Sequence, residues 1–234
     1  MFDANHTDTP SELIPAATVI LLREYEGRLE TLMLRRNRAL KAFGGAWVFP
    51  GGRVDDADLP GGAEIERAKH TAVREAQEET GLALDRDRLI TLSQWIPPKA
   101  EIRRFSTWFF VAKAPDSDVK IDEGEIHDYQ WVCPKRIIAN TPNAQMPIMP
   151  PTYISLFELS HFDQIDHALD EINARDNELF ETRFFKHDGG FTTTWAPDVA
   201  FETGDLDLTG PRRRLECTKS EWNYVREDLP FDSR

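Results

Sequence analysis

The 234-residue sequence has only two cysteines, Cys133 and Cys217, and they stand far apart. Two isolated cysteines provide neither a disulfide framework nor the close spacing of a zinc site, so we expect two reduced thiols. Long apolar runs are also absent. The longest, at residues 19–22 and 108–112, fall far short of the roughly 20 residues that cross a bilayer. The sequence therefore predicts no membrane partner.

Basic residues are outnumbered by acidic ones in this chain. Lys and Arg total 28 against 41 Asp and Glu, which gives a formal net charge of -13. Because nucleic acid binding relies on clustered cations, the sequence predicts no nucleic-acid partner. The first residues are polar and acidic, without the basic start and apolar stretch of a secretory signal. We therefore expect a cytoplasmic protein.

The pattern of elements divides the chain into three parts. We expect a flexible tail over residues 1–13, a core over 14–150 and an extension over 151–234 that packs on the core. In the core, β-prone runs that begin with a hairpin alternate with helices, which predicts an α/β fold with a mixed sheet. In the extension, we expect helices over 152–159 and 162–172, the second capped by Ser160, and then short strands, the first over 180–185.

A helix predicted over residues 63–80 carries an unusual set of charges. At about 100° per residue, Glu78 and Glu79 flank Glu75 on one narrow face of this helix. Three carboxylates on one face repel each other, and a divalent cation would compensate for that repulsion. Mg²⁺ and Mn²⁺ prefer oxygen ligands and leave positions for a substrate phosphate, which indicates metal-dependent phosphoryl chemistry. The alternative is a solvated helix face with an Arg74–Glu78 ion pair.

The residues around this helix resemble the signature of the Nudix family, which is a glycine, a glutamate and then Arg-Glu-aliphatic-x-Glu-Glu-x-Gly-aliphatic. This chain supplies, in order, Gly52, Glu66, Arg74, Glu75, Ala76, Glu78, Glu79, Gly81 and Leu82. The seven residues between Glu66 and Arg74 match the family interval. Thirteen residues separate Gly52 from Glu66, more than in the common signature, which indicates an inserted loop over residues 55–62.

The resemblance implies a Nudix α/β/α sandwich with a mixed sheet, to which this chain adds a C-terminal α/β extension. It also implies that Glu75, Glu78 and Glu79 are ligands of Mg²⁺ or Mn²⁺. Arg74 is then expected to orient a glutamate, and Glu66 to be structural.

The general base has three candidates. Glu75 lies on the helix, and Glu125 stands six residues before Trp131, where several Nudix proteins place a glutamate in the loop ahead of a late strand. We favour Glu75 and Glu125 as catalytic carboxylates, with Glu123 as the competitor of Glu125. A surface-loop acid is the alternative for both loop residues.

Residues 32–52 partly resemble the motif that precedes the signature in coenzyme A diphosphatases, and residues 103–105 resemble the peroxisomal branch of these enzymes and its bacterial relatives. The substrate-binding candidates are Arg36, Lys41, Gly51, Gly52, Arg103 and Arg104. Guanidinium groups pair bidentately with phosphate, and glycines permit a close backbone approach to a diphosphate. A solvated strand end explains the basic residues about as well, and a simple turn is the alternative for the glycines.

Together these patterns predict a divalent-metal-dependent hydrolase of a diphosphate bond in a small-molecule nucleoside diphosphate derivative. Coenzyme A or acyl-coenzyme A is the leading substrate, and ADP-ribose, a dinucleotide or a nucleotide sugar is the alternative. A non-catalytic nucleotide-binding regulator with the same fold is the alternative of another class, and the complete set of Arg74, Glu75, Glu78 and Glu79 argues against it. We further expect a homodimer.

Overall fold

The computed structural model describes residues 12–39 and 44–229. The strands in these ranges are β1 (Leu13–Tyr25), β2 (Arg28–Arg36), β3 (Trp47–Val48), β4 (Gly51–Arg53), β5 (Ile90–Ile96), β6 (Arg104–Lys113), β7 (Ile126–Val132), β8 (Glu178–Glu181), β9 (Arg183–His187), β10 (Gly190–Thr194), β11 (Arg212–Thr218) and β12 (Trp222–Glu227). The α-helices are α1 (Glu64–Thr80), α2 (Pro134–Ile138), α3 (Pro150–Leu159) and α4 (Ile165–Asn173). The expected tail falls almost entirely outside the described residues, and Leu13 already belongs to β1.

The larger sheet is mixed, as the strand pattern predicts. Its strands run in the order β3-β2-β1-β6-β5-β8, with β4 paired to β1 and β7 paired to β2. The β1–β6 and β5–β8 pairs are parallel, and the other pairs are antiparallel. The predicted hairpin of β1 and β2 turns at Glu26 and Gly27, which both have positive φ, as a tight hairpin turn requires.

Alternation of side chains along β1 fills two cores on opposite faces of the sheet. The core beneath α1 combines small helix residues with larger sheet residues, including Ala68, Ala72, Ala76, Val19, Leu21 and Phe110. The opposite core takes Ile20 and Leu22 from the same strand and packs them with residues of α3, α4 and the second sheet. Helices therefore cover both faces of the sheet, which confirms the predicted α/β/α sandwich.

Helix α1 begins at Glu64 and ends at Thr80, within one residue of the prediction. Gly81 follows with a φ of 72°, the left-handed conformation that favours glycine at a helix end. Because Ala72, Ala76 and Glu79 follow one another at intervals of four and three residues, Glu79 lies on the stripe that faces the sheet. The helix thus places the Glu79 carboxylate on its buried side, next to the sheet.

Residues after 150 join the core in two ways. Strand β8 pairs with β5 and so extends the larger sheet, where Phe180 stacks on Trp95 with ring centroids 4.0 Å apart. Strands β12, β11, β10 and β9 then form a second, antiparallel sheet.

The residues after 150 also contain a buried ion pair. Arg214 donates two hydrogen bonds to the buried carboxylate of Asp198, at 2.9 Å from Nε and 2.8 Å from Nη2.

Two predictions for the extension are wrong. Ser160 does not cap the second helix, because its hydroxyl donates to the Phe157 carbonyl and closes α3, while α4 begins only at Ile165. The strand expected over residues 180–185 is two strands in different sheets. Between them, Thr182 leaves the ladder although its N–H still donates to the Ile96 carbonyl at 2.8 Å.

Cys133 and Cys217 are both free thiols, as predicted. Among the described residues, we find no helix with the length and apolar character needed to traverse a lipid bilayer.

Candidate active site

The corner between β4 and α1 is built from two glycines that leave no room for side chains. Gly51 and Gly52 pair with Thr18 and Ala17 of β1. A Cβ on Gly51 would lie 2.7 Å from the Thr18 Cα, and a Cβ on Gly52 would collide with the carboxylate of Glu75. Glycine is therefore required at position 51, where β4 passes close to the backbone of β1, and glycine at position 52 leaves room for the Glu75 carboxylate.

Glu79 is the buried carboxylate of this corner, with a relative exposure of 5%. Its Oε2 accepts a hydrogen bond of 2.9 Å from the Gly51 backbone N–H, and its Oε1 lies 3.9 Å from Arg36 Nη1. Burial raises the pKa of Glu79 to about 8, and the negative charges of Glu75 and Glu125 act in the same direction. The Gly51 hydrogen bond and the Arg36 charge oppose this shift without cancelling it.

Glu75 and Glu78 share one guanidinium group. Arg74 Nη1 donates to Glu75 Oε1 at 3.0 Å and to Glu78 Oε2 at 2.9 Å. Burial raises the pKa of Glu75, and the charges of Glu78 and Glu125 add to that effect while Arg74 opposes it. The charges of neighbouring carboxylates therefore add to burial in disfavouring the ionisation of Glu75 and Glu79.

Arg74 has a second partner that the sequence did not reveal, the carboxylate of Asp58. Arg74 Nε donates to Asp58 Oδ1 and Arg74 Nη2 to Asp58 Oδ2, both at 2.9 Å. Burial alone would raise the pKa of Asp58, but hydrogen bonds from Arg74, Thr71 and the Asp55 backbone hold it well below its usual range. In the sequence, Asp58 is one of several acids in a polar loop, and no local pattern distinguishes it from its neighbours.

Glu125 reaches the site because its loop is attached at two places. The Glu125 carbonyl accepts a hydrogen bond of 2.8 Å from the Asn37 N–H at the end of β2, and the Asp122 N–H donates to the Glu79 carbonyl at 3.2 Å. The Glu125 carboxylate consequently lies 3.6 Å from Arg36 Nη2, on the same guanidinium that faces Glu79. Glu123 belongs to the same loop and is exposed.

The basic substrate-binding candidates do not form one cluster. Arg36 lies between Glu79 and Glu125, where a register shift in the β2–β7 pairing falls next to it. Arg104 is buried at the start of β6 and donates to the Pro97 carbonyl at 3.2 Å, while Arg103 beside it is exposed. Lys41 falls outside the described residues.

Glu66, the signature glutamate, does not contact the site arginine. Its side chain is 40% exposed, and its Oε1 lies 3.7 Å from the ammonium of Lys69, one turn along the helix. Exposed pairs of this kind stabilise a helix by only a few tenths of a kcal/mol. The structural role that the family resemblance implied for Glu66 has no visible basis in these contacts.

The donors of this corner fit a hard divalent cation in their chemistry. Glu75, Glu78 and Glu79 offer carboxylate oxygens from one helix. Burial, with added repulsion from neighbouring carboxylates, raises the pKa of Glu75 and of Glu79, and a cation would offset both effects. In the part of the chain that is described, no three or more acidic, His or Cys side chains are already arranged around a common point as metal ligands. Arg74 Nη1 holds one oxygen each of Glu75 and Glu78, so a cation would use the second oxygen of each carboxylate.

The chain has a mixed sheet with helices on both faces, and its glycine corner at β4 faces the glutamates of α1. This arrangement defines the class of Nudix-fold proteins. The model of the NUDIX domain matches residues 12–151, which is more than half of the chain. This chain therefore belongs to the Nudix family, whose members are hydrolases of nucleoside diphosphate derivatives and generally need divalent metal ions.

Two relatives come from Caenorhabditis elegans. The protein named nudix hydrolase 7 is 26% identical over 186 residues, covering 64% of this chain and 60% of the relative. The peroxisomal coenzyme A diphosphatase ndx-8 is 36% identical over 92 residues, covering 38% of this chain and 37% of the relative. The matches thus span about three fifths and about two fifths of the lengths of these relatives.

A solved structure supports the fold independently. The Nudix hydrolase of Alicyclobacillus acidocaldarius superposes with a TM-score of 0.63 at 18% sequence identity, covering 69% of this chain and 97% of that protein. At this identity the likeness concerns the fold alone.

Proposed function

We propose that this protein is a divalent-metal-dependent hydrolase that cleaves a diphosphate bond in a nucleoside diphosphate derivative. The observation that carries this proposal is the buried carboxylate of Glu79. It accepts a hydrogen bond from the Gly51 N–H, and Arg36 lies between it and the Glu125 carboxylate. A cluster of carboxylates this close together destabilises the fold unless it serves a bound cation, so its presence favours a functional role. The retention of the whole signature set favours an enzyme over a non-catalytic regulator.

Glu75, Glu78 and Glu79 would hold the cation, for which Mg²⁺ or Mn²⁺ is the best fit to an all-carboxylate donor set. When bound, such a cation supplies charge neutralisation for the diphosphate group. Arg74 Nη1 binds one oxygen of each, Glu75 Oε1 and Glu78 Oε2, so its role is to orient these two carboxylates.

Glu125 is the residue we assign as proton acceptor for the attacking water. Its position over the helix carboxylates depends on the backbone hydrogen bonds from Asn37 and Asp122, which fix the loop on both sides. Its side chain remains 58% exposed, so a water molecule and a substrate have access to it. Glu75, which is less exposed at 16% and bound by Arg74, is the second candidate.

Coenzyme A or an acyl derivative is the proposed substrate. Support comes from the residues 32–52 that resemble the coenzyme A diphosphatase motif and from the partial match to the peroxisomal coenzyme A diphosphatase of Caenorhabditis elegans. Arg36 lies 3.9 Å from Glu79 and 3.6 Å from Glu125, and displacement from these two carboxylates would free its guanidinium for a phosphate. Gly51 and Gly52, which carry no side chains, would let the backbone of β4 approach the same phosphate.

Hydrolysis of a panel of diphosphates tests this proposal. Purified protein with Mg²⁺ or Mn²⁺ is incubated with coenzyme A, acetyl-coenzyme A, ADP-ribose, a dinucleotide and a nucleotide sugar, and products are separated by chromatography. We expect 3',5'-ADP and a phosphopantetheine product at a rate above that of every other substrate, and no product in chelator. A coenzyme A rate no better than that of ADP-ribose refutes the substrate assignment, and no hydrolysis of any diphosphate refutes the activity.

Two further proposals concern the assembly and location of the protein. A homodimer is expected from the sequence, and light scattering coupled to size-exclusion chromatography will measure the mass of the particle. The cytoplasmic location also stays a prediction, to be tested by fractionation of cells.

A further inference from the structure

The inserted loop over residues 55–62 folds so that one of its carboxylates points into the protein. The relative exposure of Asp58 is 1%, although three acids lie within four residues of each other in this loop. The Asp55 N–H donates to Asp58 Oδ2 at 2.9 Å, and the Arg67 side chain donates to the Asp58 and Asp55 carbonyls at 3.1 and 3.0 Å. The loop is therefore fastened to α1 by its backbone, and Asp58 is aimed at the helix.

Both oxygens of Asp58 are engaged by helix side chains. Oδ1 accepts from Arg74 Nε, and Oδ2 accepts from Arg74 Nη2 at 2.9 Å and from Thr71 Oγ1 at 2.8 Å. A bidentate pair of this kind fixes the plane of a guanidinium group as well as its position. Because the guanidinium group is planar, fixing Nε and Nη2 also fixes the position of Nη1. This nitrogen donates to Glu75 and Glu78.

We infer that Asp58 is a positioning residue for the metal site, which holds Arg74 so that a single nitrogen of its guanidinium orients both Glu75 and Glu78. Without Asp58, Arg74 keeps, besides its bonds to Glu75 and Glu78, only the 3.2 Å hydrogen bond from Nη2 to the Arg53 carbonyl and a 3.8 Å contact with Asp55, both with exposed partners. Its guanidinium can then turn further onto Glu75 and Glu78 and compete with a divalent cation for them. The inference rests on the proposed metal-dependent activity and deepens it, because it names the residue that keeps the signature arginine in its working orientation.

The signature glutamate does not perform this task in this chain. Glu66 is partly exposed and faces Lys69, whereas Asp58 is buried and contacts Arg74 directly. The residues that lengthen the interval between Gly52 and Glu66 are those that supply the carboxylate. The insertion thus has a function in the site rather than serving only as a surface loop.

A purely structural role for Asp58, as a staple between loop and helix, is the competing explanation. Such a staple would affect the unfolding temperature alone. A positioning residue would instead change metal binding and kcat through Arg74 and leave KM almost unchanged, since Asp58 does not reach the substrate. These two expectations are separable because Asp58→Asn is nearly isosteric and the effect of Arg74 can be removed independently.

The test uses the full chain with five changes: Asp58→Asn, Arg74→Gln, the double variant, and the controls Asp56→Asn and Glu66→Gln. Asp56 is an exposed acid of the same loop, and Glu66 is the signature glutamate. For each variant, Mn²⁺ binding is measured by calorimetry without substrate, kcat and KM are measured with the best diphosphate of the panel, and the unfolding temperature is recorded.

Asp58→Asn is expected to weaken Mn²⁺ binding and lower kcat by about 10- to 100-fold each, the effect usual for residues that orient metal ligands. KM should change by less than about twofold. In the Arg74→Gln background, the same Asp58→Asn change should alter Mn²⁺ binding and kcat by less than about twofold, because the two residues act as one unit. Both controls should behave like the wild type.

Equal losses from Asp58→Asn in the two backgrounds would overturn the inference, as would a change in unfolding temperature alone or an equal loss in either control. If Asp58→Asn does not fold, Thr71→Val removes one hydrogen bond to Asp58 but leaves the charge pair. It should lower kcat by about two- to tenfold, and an unchanged kcat overturns the inference. Should the wild type hydrolyse no diphosphate, the proposed function fails, and the Mn²⁺ measurements still decide the role of Asp58.

Discussion

The backbone N–H of Gly51 donates a hydrogen bond of 2.9 Å to Oε2 of Glu79, across 28 residues of sequence. This bond ties the glycine corner at β4 to the most buried carboxylate of α1. It also explains how a carboxylate with 5% exposure is kept at the edge of the core: the corner gives it one donor, and Arg36 gives it a distant charge. Burial, with added repulsion from Glu75 and Glu125, makes the ionised form of Glu79 costly to the fold, and a bound cation would offset that cost.

Glu79→Gln should separate stability from activity. Because the pKa of Glu79 is raised to about 8 in the folded protein, ionisation opposes folding at any pH above its unfolded value. In chelator at pH 8, the variant should therefore unfold at a higher temperature than the wild type, and the difference should shrink towards pH 4. Metal-dependent hydrolysis should fall roughly 10²-fold or more. A lower unfolding temperature at pH 8 would contradict this explanation of the buried carboxylate.

Glu125→Gln tests the assignment of the proton acceptor. If Glu125 accepts the proton, kcat should fall by about 10²- to 10⁴-fold with little change in Mn²⁺ affinity, and the acidic limb of the pH–rate profile should be altered. Glu123→Gln is the matched control, since it is an exposed glutamate of the same loop. Comparable losses in the two variants would show that the loop, rather than Glu125 in particular, supports the rate.

Gly52→Ala should damage the site without unfolding the protein. Its new Cβ would collide with the Glu75 carboxylate, which then has to leave its present position beside Arg74. We expect a loss in kcat of roughly 10- to 100-fold, as for other changes that misplace metal ligands. Gly61→Ala provides a loop control, because a Cβ there meets nothing within 4 Å, although its φ of 77° adds some backbone strain. Wild-type activity in Gly52→Ala would be inconsistent with a fixed position for Glu75.

Asp198→Asn should destabilise the part of the chain after residue 150. Although burial raises the pKa of Asp198, hydrogen bonds from Arg214 and from the backbone N–H groups of Ala200 and Arg213 lower it by more. A lowered pKa stabilises the fold at pH values above the unfolded value, and that stability is lost as the pH falls through the folded value.

The expected loss for Asp198→Asn is about 3–5 kcal/mol in the free energy of unfolding at pH 7, because Arg214 is left buried without its charge partner. The difference from the wild type should diminish below about pH 4. Denaturant unfolding across this pH range measures both values, with the exposed Asp188→Asn as control. A difference that is independent of pH would rule out the charge pair as its cause.

The elements that could be predicted from the sequence are those set by local periodicity. The spacing of Ala72, Ala76 and Glu79 along α1 indicates both the helix and its buried face, and Gly81 marks its end. The β1–β2 hairpin is likewise local, since Gly27 sits between two apolar runs. For such elements the pattern and the final structure depend on the same neighbouring residues.

Features that depend on distant partners could not be predicted. Asp58 binds Arg74 across 16 residues, and nothing in the loop sequence distinguishes it from Asp55 or Asp56. Ser160 is a residue type that often caps the start of a helix, but here its hydroxyl donates to the Phe157 carbonyl at the end of α3 instead. Residues 180–185 form two strands because β8 pairs with β5 in the larger sheet, whereas β9 pairs with β10 in the second sheet. These pairings do not follow from the local sequence.

The position of a bound cation is the most direct measure of the central claim. Crystals of the full chain grown with Mn²⁺ should give an anomalous difference peak within about 2.0–2.5 Å of carboxylate oxygens of Glu75, Glu78 and Glu79. Arg74 should then remain on Asp58 and keep its Nη1 within hydrogen-bond distance of Glu75 or Glu78. A peak bound by other residues, or no peak at α1, would contradict the assignment of this helix as the metal site.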